Sequence, residues 1–148
     1  MASTMSRTIE RARIEAVKEG ARTIEAEHLL LALSREPDAV AALERAGWDE
    51  EGLRRALQEE WVAGLASAGV DQEIPAPGTP DLAATPRVGE SVKQALVRGV
   101  TTSKLYRSRK VQGVHLLHGV ITATHGTVPR ALTPAGVAAL QQRLERSF

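Results

Sequence analysis

The chain contains no cysteine and very few aromatic residues. The absence of cysteine excludes disulfide bonds and thiolate metal sites. Aromatic residues make up only 3% of the 148 positions, whereas hydrophobic residues of all kinds make up 43%. A core built from this sequence must therefore consist mainly of leucine, valine, isoleucine and alanine, which is typical of packed helices.

Several other features are missing as well. No apolar run approaches the length of a membrane span. The first 13 residues are polar and charged, so we expect no signal peptide. The sequence lacks the Gly-x-x-x-x-Gly-Lys-Ser/Thr loop that ATPases use to hold phosphate, and it lacks a nucleophile motif. We therefore expect a cytoplasmic protein that is not an enzyme and needs no cofactor.

One short phrase occurs twice in the sequence. Residues 27–33 read Glu-His-Leu-Leu-Leu-Ala-Leu, and residues 114–120 read Val-His-Leu-Leu-His-Gly-Val. Aligning His28 with His115 gives an offset of 87 residues, which also places Leu53 on Leu140. A match at a fixed offset predicts a duplicated unit. We divide a single domain over 1–148 into repeat 1 (5–68), a Pro- and Gly-rich linker (69–84) and repeat 2 (85–148).

Helix start and stop signals predict four helices in each repeat, with no sheet. The first helix has Ser6 or Thr8 as its cap and ends near Gly20. Thr85-Pro86 opens the second repeat, and Thr133-Pro134 starts the last helix. The fold class is therefore all-α, with two four-helix repeats related by a pseudo-two-fold axis. The predicted core includes Leu29, Leu30, Leu33, Leu116, Leu117 and Val120.

The two halves carry opposite charge. Residues 1–68 hold 9 Lys/Arg and 13 Asp/Glu, whereas residues 69–148 hold 10 Lys/Arg and 5 Asp/Glu. Four of these cations form a basic patch around Tyr106, which is a candidate for nucleic-acid binding. A solvated loop is the preferred interpretation, because the whole chain is nearly neutral. The patch consists of Lys104, Arg107, Arg109 and Lys110.

The histidines offer little for catalysis or metal binding. His28 and His115 each stand near the start of a Leu-rich helix, where an imidazole can satisfy a backbone group. His115 and His118 are three residues apart, but two ligands do not complete a zinc site. We therefore expect structural histidines and no metal.

The pattern resembles the double Clp N-terminal repeat domain. The resemblance rests on Arg11-Ala12-Arg13, on Glu27–Leu33, on the Ala-Leu-x-x-x-Gly of Ala42–Gly47 and on Thr85-Pro86-Arg87. It covers about residues 5–146 and is most similar to the ClpC type. It implies an eight-helix, non-catalytic domain that binds substrates, adaptors, or the unfoldase and protease subunits of Clp systems. Because no ATPase modules are present, we expect either a stand-alone homologue or an excised domain.

The resemblance also implies candidate ligands. ClpC-like domains recognise phosphorylated arginine through acidic residues beside the histidine, a role that falls here to Glu27 with Glu25 nearby, while Val114 replaces the acid in repeat 2. Some bind cyclic peptide antibiotics, at places that here hold Met5 and Ala84. The alternatives to a Clp interaction domain are thus a protein that sequesters such a peptide and a nucleic-acid-binding regulator that uses the basic patch.

Overall fold

The structure, a computed structural model, describes residues 3–67 and 85–148. The predicted linker 69–84, including Ala84, lies outside the described residues. Seven helices and two very short strands make up the described part. In chain order these elements are α1 (Thr4–Glu19), β1 (Thr23–Ile24), α2 (Ala26–Leu33), α3 (Pro37–Arg45), α4 (Glu50–Ser67), β2 (Arg87–Val88), α5 (Glu90–Leu105), α6 (Gly113–Ile121) and α7 (Thr127–Ser147).

The last element, α7, consists of two helical stretches. Thr133 has φ 68° and ψ 155°, which are not helical values. Pro134 follows, and the Thr133 hydroxyl accepts a hydrogen bond of 3.2 Å from the Gly136 amide. Since proline cannot continue the preceding hydrogen-bond ladder, the hydroxyl caps a new helix at this point. The all-α fold class is confirmed, and the break gives each repeat four helical stretches.

Three local predictions were wrong. No sheet was expected, yet β1 and β2 form a parallel pair of two residues each. The segment after Thr85-Pro86 does not open a helix, because the amide of Arg87 donates to the carbonyl of Arg22 and that of Gly89 to Ile24. With those amides committed to β1, α5 begins only at Glu90. The α1 cap is Ser3, whose hydroxyl accepts from the Ser6 amide.

The two repeats share one core. All six leucines and valines that were predicted to be buried are fully buried. Helices α2 and α6, which carry the repeated phrase, are buried along almost their whole length, and the other helices pack around them. Gly99 and Gly119 let α5 and α6 approach closely, since a Cβ on Gly119 would clash with the carbonyl of Ala95. A single continuous core therefore holds both repeats together.

Candidate functional site

The duplicated histidines make the same hydrogen bond in both repeats. His28 Nδ1 accepts from the amide of Glu25 at 2.9 Å, and His115 Nδ1 accepts from the amide of Gln112 at 2.9 Å. Each imidazole therefore folds back over the start of its own helix and satisfies the amide of the capping residue. Both side chains are buried, which agrees with the structural role predicted from the sequence.

The surroundings of the two histidines differ in charge. His28 Nε2 lies 2.9 Å from the Glu19 carboxylate. Burial lowers the pKa of His28, but the hydrogen bond with Glu19 and the neighbouring carboxylates outweigh it, so the pKa lies above its usual value. Burial lowers the pKa of His115, and the charge of Asp38 opposes this only in part. Repeat 1 thus has an acidic setting that repeat 2 lacks.

Glu25 binds the other repeat. Its carboxylate accepts hydrogen bonds from Ser91 Oγ at the start of α5 and from Thr23 Oγ1 at 2.9 Å. Ser91 Oγ in turn accepts from the Ala26 amide at 2.8 Å. A side chain of repeat 2 therefore caps α2 of repeat 1, and Glu25 is committed to this contact. Gly89 leaves room for it, because a Cβ there would clash with the carboxylate.

Asp38 makes the reciprocal contact at α6. Its Oδ2 accepts a hydrogen bond of 3.0 Å from the Val114 amide, across 76 residues of sequence. A Cβ on Gly113 would lie 2.5 Å from Asp38 Oδ1, so a larger residue here would displace the carboxylate. The carboxylate at the start of α6 is therefore supplied by repeat 1, although position 114 itself holds valine. Sequence reasoning missed both Asp38 and Ser91, which read as ordinary helix-start residues.

Glu27 lies in the first turn of α2 and lines a cavity of about 180 Å³. Burial raises the pKa of Glu27, and the charges of Glu19 and Glu25 add to the effect, although a backbone hydrogen bond and His28 oppose it. The cavity is bounded by α2, α5 and the segment that joins α6 to α7. Basic groups line it too: Arg98, which donates through Nε to the Gly119 carbonyl at 2.8 Å, and His125. The Glu25 carboxylate lines the cavity as well but is hydrogen-bonded to Ser91. The cavity thus offers the Glu27 carboxylate and two basic side chains to a ligand.

The residues predicted for a cyclic peptide are less informative. Met5 lies in the first turn of α1 and packs partly against the core. A second cavity, of about 270 Å³, lies between the end of α1 and β2 and is lined by Val17 and Thr85-Pro86-Arg87. Met5 is 12 residues before Val17, or about 18 Å along the helix. Met5 is therefore not brought to this cavity.

The basic patch lies where α5 ends. Lys104, Arg107, Arg109 and Lys110 are all exposed, and no ion pair found among residues 3–67 and 85–148 includes any of them. Tyr106 packs against Phe148, with ring centroids 4.8 Å apart. The structure therefore collects the four cations on one exposed corner.

The described residues contain no group of three or more side chains suited to hold a metal ion. None of the helices in those same residues is long and apolar enough to cross a membrane.

Comparisons with known proteins bear on both the family and the fold. A family model described as the Clp repeat (R) N-terminal domain matches residues 1–84. The N-terminal domain of the caseinolytic protease associated chaperone ClpD from Arabidopsis thaliana is similar in structure, with a TM-score of 0.70 and 19% identity over 99% of this chain and 93% of that chain. A chain from structural investigations of a malarial protein secretion system is also similar in structure. It has a TM-score of 0.65 and 19% identity, over 99% of this chain and 96% of that chain. No curated protein matches the sequence.

Proposed function

The chain belongs to the Clp N-terminal repeat domain family, whose members are non-catalytic interaction domains of Clp chaperone systems, and on this premise we propose that it binds substrate or adaptor proteins. The proposal includes a cytoplasmic location and the absence of any enzymatic activity in the chain itself. Unfoldase or protease subunits of a Clp machine are the other proteins that such a domain is expected to contact.

The observation that carries the finer proposal is the position of Glu27 in its cavity. A half-buried carboxylate is a strong acceptor for a guanidinium group, which binds carboxylates through two parallel hydrogen bonds. Arg98 lines the same cavity and supplies positive charge for a phosphate, and the imidazole of His125 lines it as a further hydrogen-bonding group. A phosphorylated arginine carries both groups on one side chain, so we propose phosphoarginine in a substrate protein as the ligand.

The same reasoning makes the two repeats unequal. Val114, at the position that matches Glu27, has no acceptor in its side chain, and the carboxylate of Asp38 beside it already accepts from the Val114 amide. The basic patch further along repeat 2 would repel a cation. We therefore expect one site, in repeat 1, for each chain.

Calorimetry with phosphoarginine tests this proposal. Loss of a charge-assisted hydrogen bond costs about 1.5–3 kcal/mol, so Glu27→Ala should weaken binding at least about tenfold. Val114→Ala should change it little. Glu10→Ala is a matched control, since Glu10 is an exposed acid on α1 whose carboxylate pairs only with Arg13 in the described structure. Two equal sites per chain, or binding that is indifferent to Glu27→Ala, would contradict the proposal.

The pH dependence of binding gives an independent measurement. Glu27 must be ionised to accept a guanidinium, and its pKa is raised by burial. Affinity should therefore fall as the pH drops toward this raised pKa, at a higher pH than an ordinary glutamate would require. The Glu27→Gln variant should bind weakly and should lack this acid limb.

A further inference from the structure

The corner where α5 ends combines exposed apolar and cationic side chains. Leu105 is 73% exposed and Val97 is 66% exposed, and both belong to a helix that packs against the core. The four cations of the basic patch follow directly, at positions 104–110. We call Val97, Leu105 and the basic patch together the α5 corner.

The two apolar residues of the corner lie on the same side of α5 but not in line. Val97 and Leu105 are eight residues apart on one helix, which separates them by about 12 Å along the axis and by about 80° around it. Lys104 precedes Leu105 in the last turn of α5, and the other three cations follow the helix. A partner that lies along this side of α5 would meet Val97 first and then, at the end of the helix, Leu105 together with positive charge.

The backbone of the corner keeps an arginine where glycine is the usual residue. The amide of Arg107 donates to the Lys104 carbonyl at 3.1 Å, and that of Ser108 donates to Ser103 at 2.8 Å. These two bonds define a Schellman motif, in which the residue after the cap is left-handed, and Arg107 has φ 56°. An arginine here is less stable than glycine. The strained position places a cationic side chain at the exposed end of α5.

We propose that the α5 corner docks an acidic segment of a partner protein in which glutamate or aspartate residues flank large aliphatic side chains. Charge complementarity carries this choice, since residues 69–148 hold 10 Lys/Arg and 5 Asp/Glu. Val97 and Leu105 supply the apolar contacts. The α5 corner shares no lining residue with the Glu27 cavity and takes a ligand of opposite charge, so it adds a second contact to the proposed function.

Nucleic acid fits this surface less well. Strand binding relies on aromatic side chains that stack on bases, and the corner has a single one, Tyr106, which is 39% exposed and packs in part against Phe148. Exposed valine and leucine contribute little to contacts with phosphate. An acidic protein segment uses all the groups present, whereas nucleic acid uses only the cations.

Fluorescence anisotropy with a designed peptide tests the proposal. The probe is a blocked helical peptide of glutamates and alanines with two leucines seven positions apart, labelled at one end. The double variant Arg109→Glu/Lys110→Glu should weaken its binding at least about tenfold. The control variant Arg22→Glu/Arg55→Glu changes the net charge equally, on exposed sites of repeat 1, and should stay within about twofold.

Further variants test separately the apolar contact of Leu105, the side chain of Arg107 and the independence of the corner from the Glu27 cavity. Leu105→Ser should weaken the peptide about fivefold. Arg107→Gly should raise the melting temperature and yet weaken binding about threefold. Glu27→Ala should leave this peptide unaffected, so failure at one site is distinguishable from failure at the other.

Four results would overturn the proposal. The first is that the wild-type chain does not bind the probe. The second is that a peptide with serines in place of the leucines binds equally well, which would make the corner a non-specific cationic patch. The third is that single-stranded DNA binds more tightly than the peptide. The fourth is self-association in sedimentation that Arg109→Glu/Lys110→Glu abolishes, because the occupant would then be a second copy of the chain.

Discussion

At the scale of single residues, Glu36 joins the start of α3 to α1. Its side chain is 3% exposed and accepts from Arg7 at 2.8 and 3.0 Å and from Arg11 at 3.1 Å. The hydrogen bond from Arg7 holds the pKa of Glu36 below its usual value, with burial opposing it. A carboxyl whose pKa is lowered on folding adds stability above its unfolded pKa, and that contribution is lost as the pH falls through the folded pKa.

We therefore predict that Glu36→Gln is destabilising only where Glu36 is ionised. At neutral pH the variant should lose about 1–2 kcal/mol in the free energy of unfolding, since both arginines are partly exposed and screened by solvent. The difference from wild type should shrink as the pH falls below about 4. Urea unfolding at several pH values measures this. Glu10→Gln, at an exposed pair with Arg13, should change stability by less than about 0.5 kcal/mol, and a Glu36→Gln loss that is independent of pH would contradict the prediction.

Some residue roles could be read from the sequence and others could not. The duplicated phrase predicted the equivalence of His28 and His115, because a repeated helix start repeats its local hydrogen bonds. The negative charge of Glu25 near Glu27 follows from the sequence, whereas the hydrogen bond that its carboxylate accepts from Ser91 does not. The two residues of that contact are 66 positions apart in the sequence. A pattern of neighbouring residues cannot predict a hydrogen bond between positions so far apart.

At the scale of elements, the helix starts of α2 and α6 are capped from the opposite repeat. Ser91 accepts from the Ala26 amide, and Asp38 accepts from the Val114 amide. Helix α4 is capped within its own repeat, because Asp49 Oδ1 accepts from the Gly52 amide at 2.6 Å. Of these three caps, those of α2 and α6 join the two repeats, whereas the cap of α4 stays within repeat 1.

We predict that Asp38→Ala and Ser91→Ala each cost about 0.5–2 kcal/mol of stability, as the loss of a helix cap does. In Asp38→Ala, hydrogen exchange at the Val114 amide should become faster while exchange at Gly52 stays unchanged. Asp49→Ala is the matched control and should produce the reverse pattern. Equal exchange at Val114 in the wild type and in Asp38→Ala would show that this cap contributes nothing to α6.

The elements also show where sequence patterns were sufficient. Thr133-Pro134 marked a helix start correctly, because a proline after a capping hydroxyl acts locally. Thr85-Pro86 looks the same and marks none, since the following residues pair with β1. The difference arises from Thr23–Ile24, more than 60 residues earlier. Local sequence therefore predicts a helix start well, except where the amides that would begin the helix donate to a strand that is distant in sequence.

At the scale of the whole molecule, the repeats are covalently consecutive but physically interdependent. Leu29, Leu30 and Leu33 of repeat 1 share one core with Leu116 and Leu117 of repeat 2. The crossed caps at α2 and α6 and the β1–β2 pair add polar contacts between them. Cutting the chain between the repeats would expose one face of that core on each side.

We therefore predict that neither repeat folds alone. A fragment of residues 1–68 or 85–148 is near the size at which a domain is marginal even with its complete core, and each would lose a helix cap as well as the core leucines of the other repeat. Circular dichroism should show little helix and no cooperative melting for either fragment. An equimolar mixture should regain helix, because the contacts between the repeats require no covalent link.

A control fragment with the repeats rejoined by a short Gly/Ser linker should melt cooperatively. Cooperative unfolding of residues 1–68 alone would mean that repeat 1 is a complete domain and that the crossed caps fasten two folded units together.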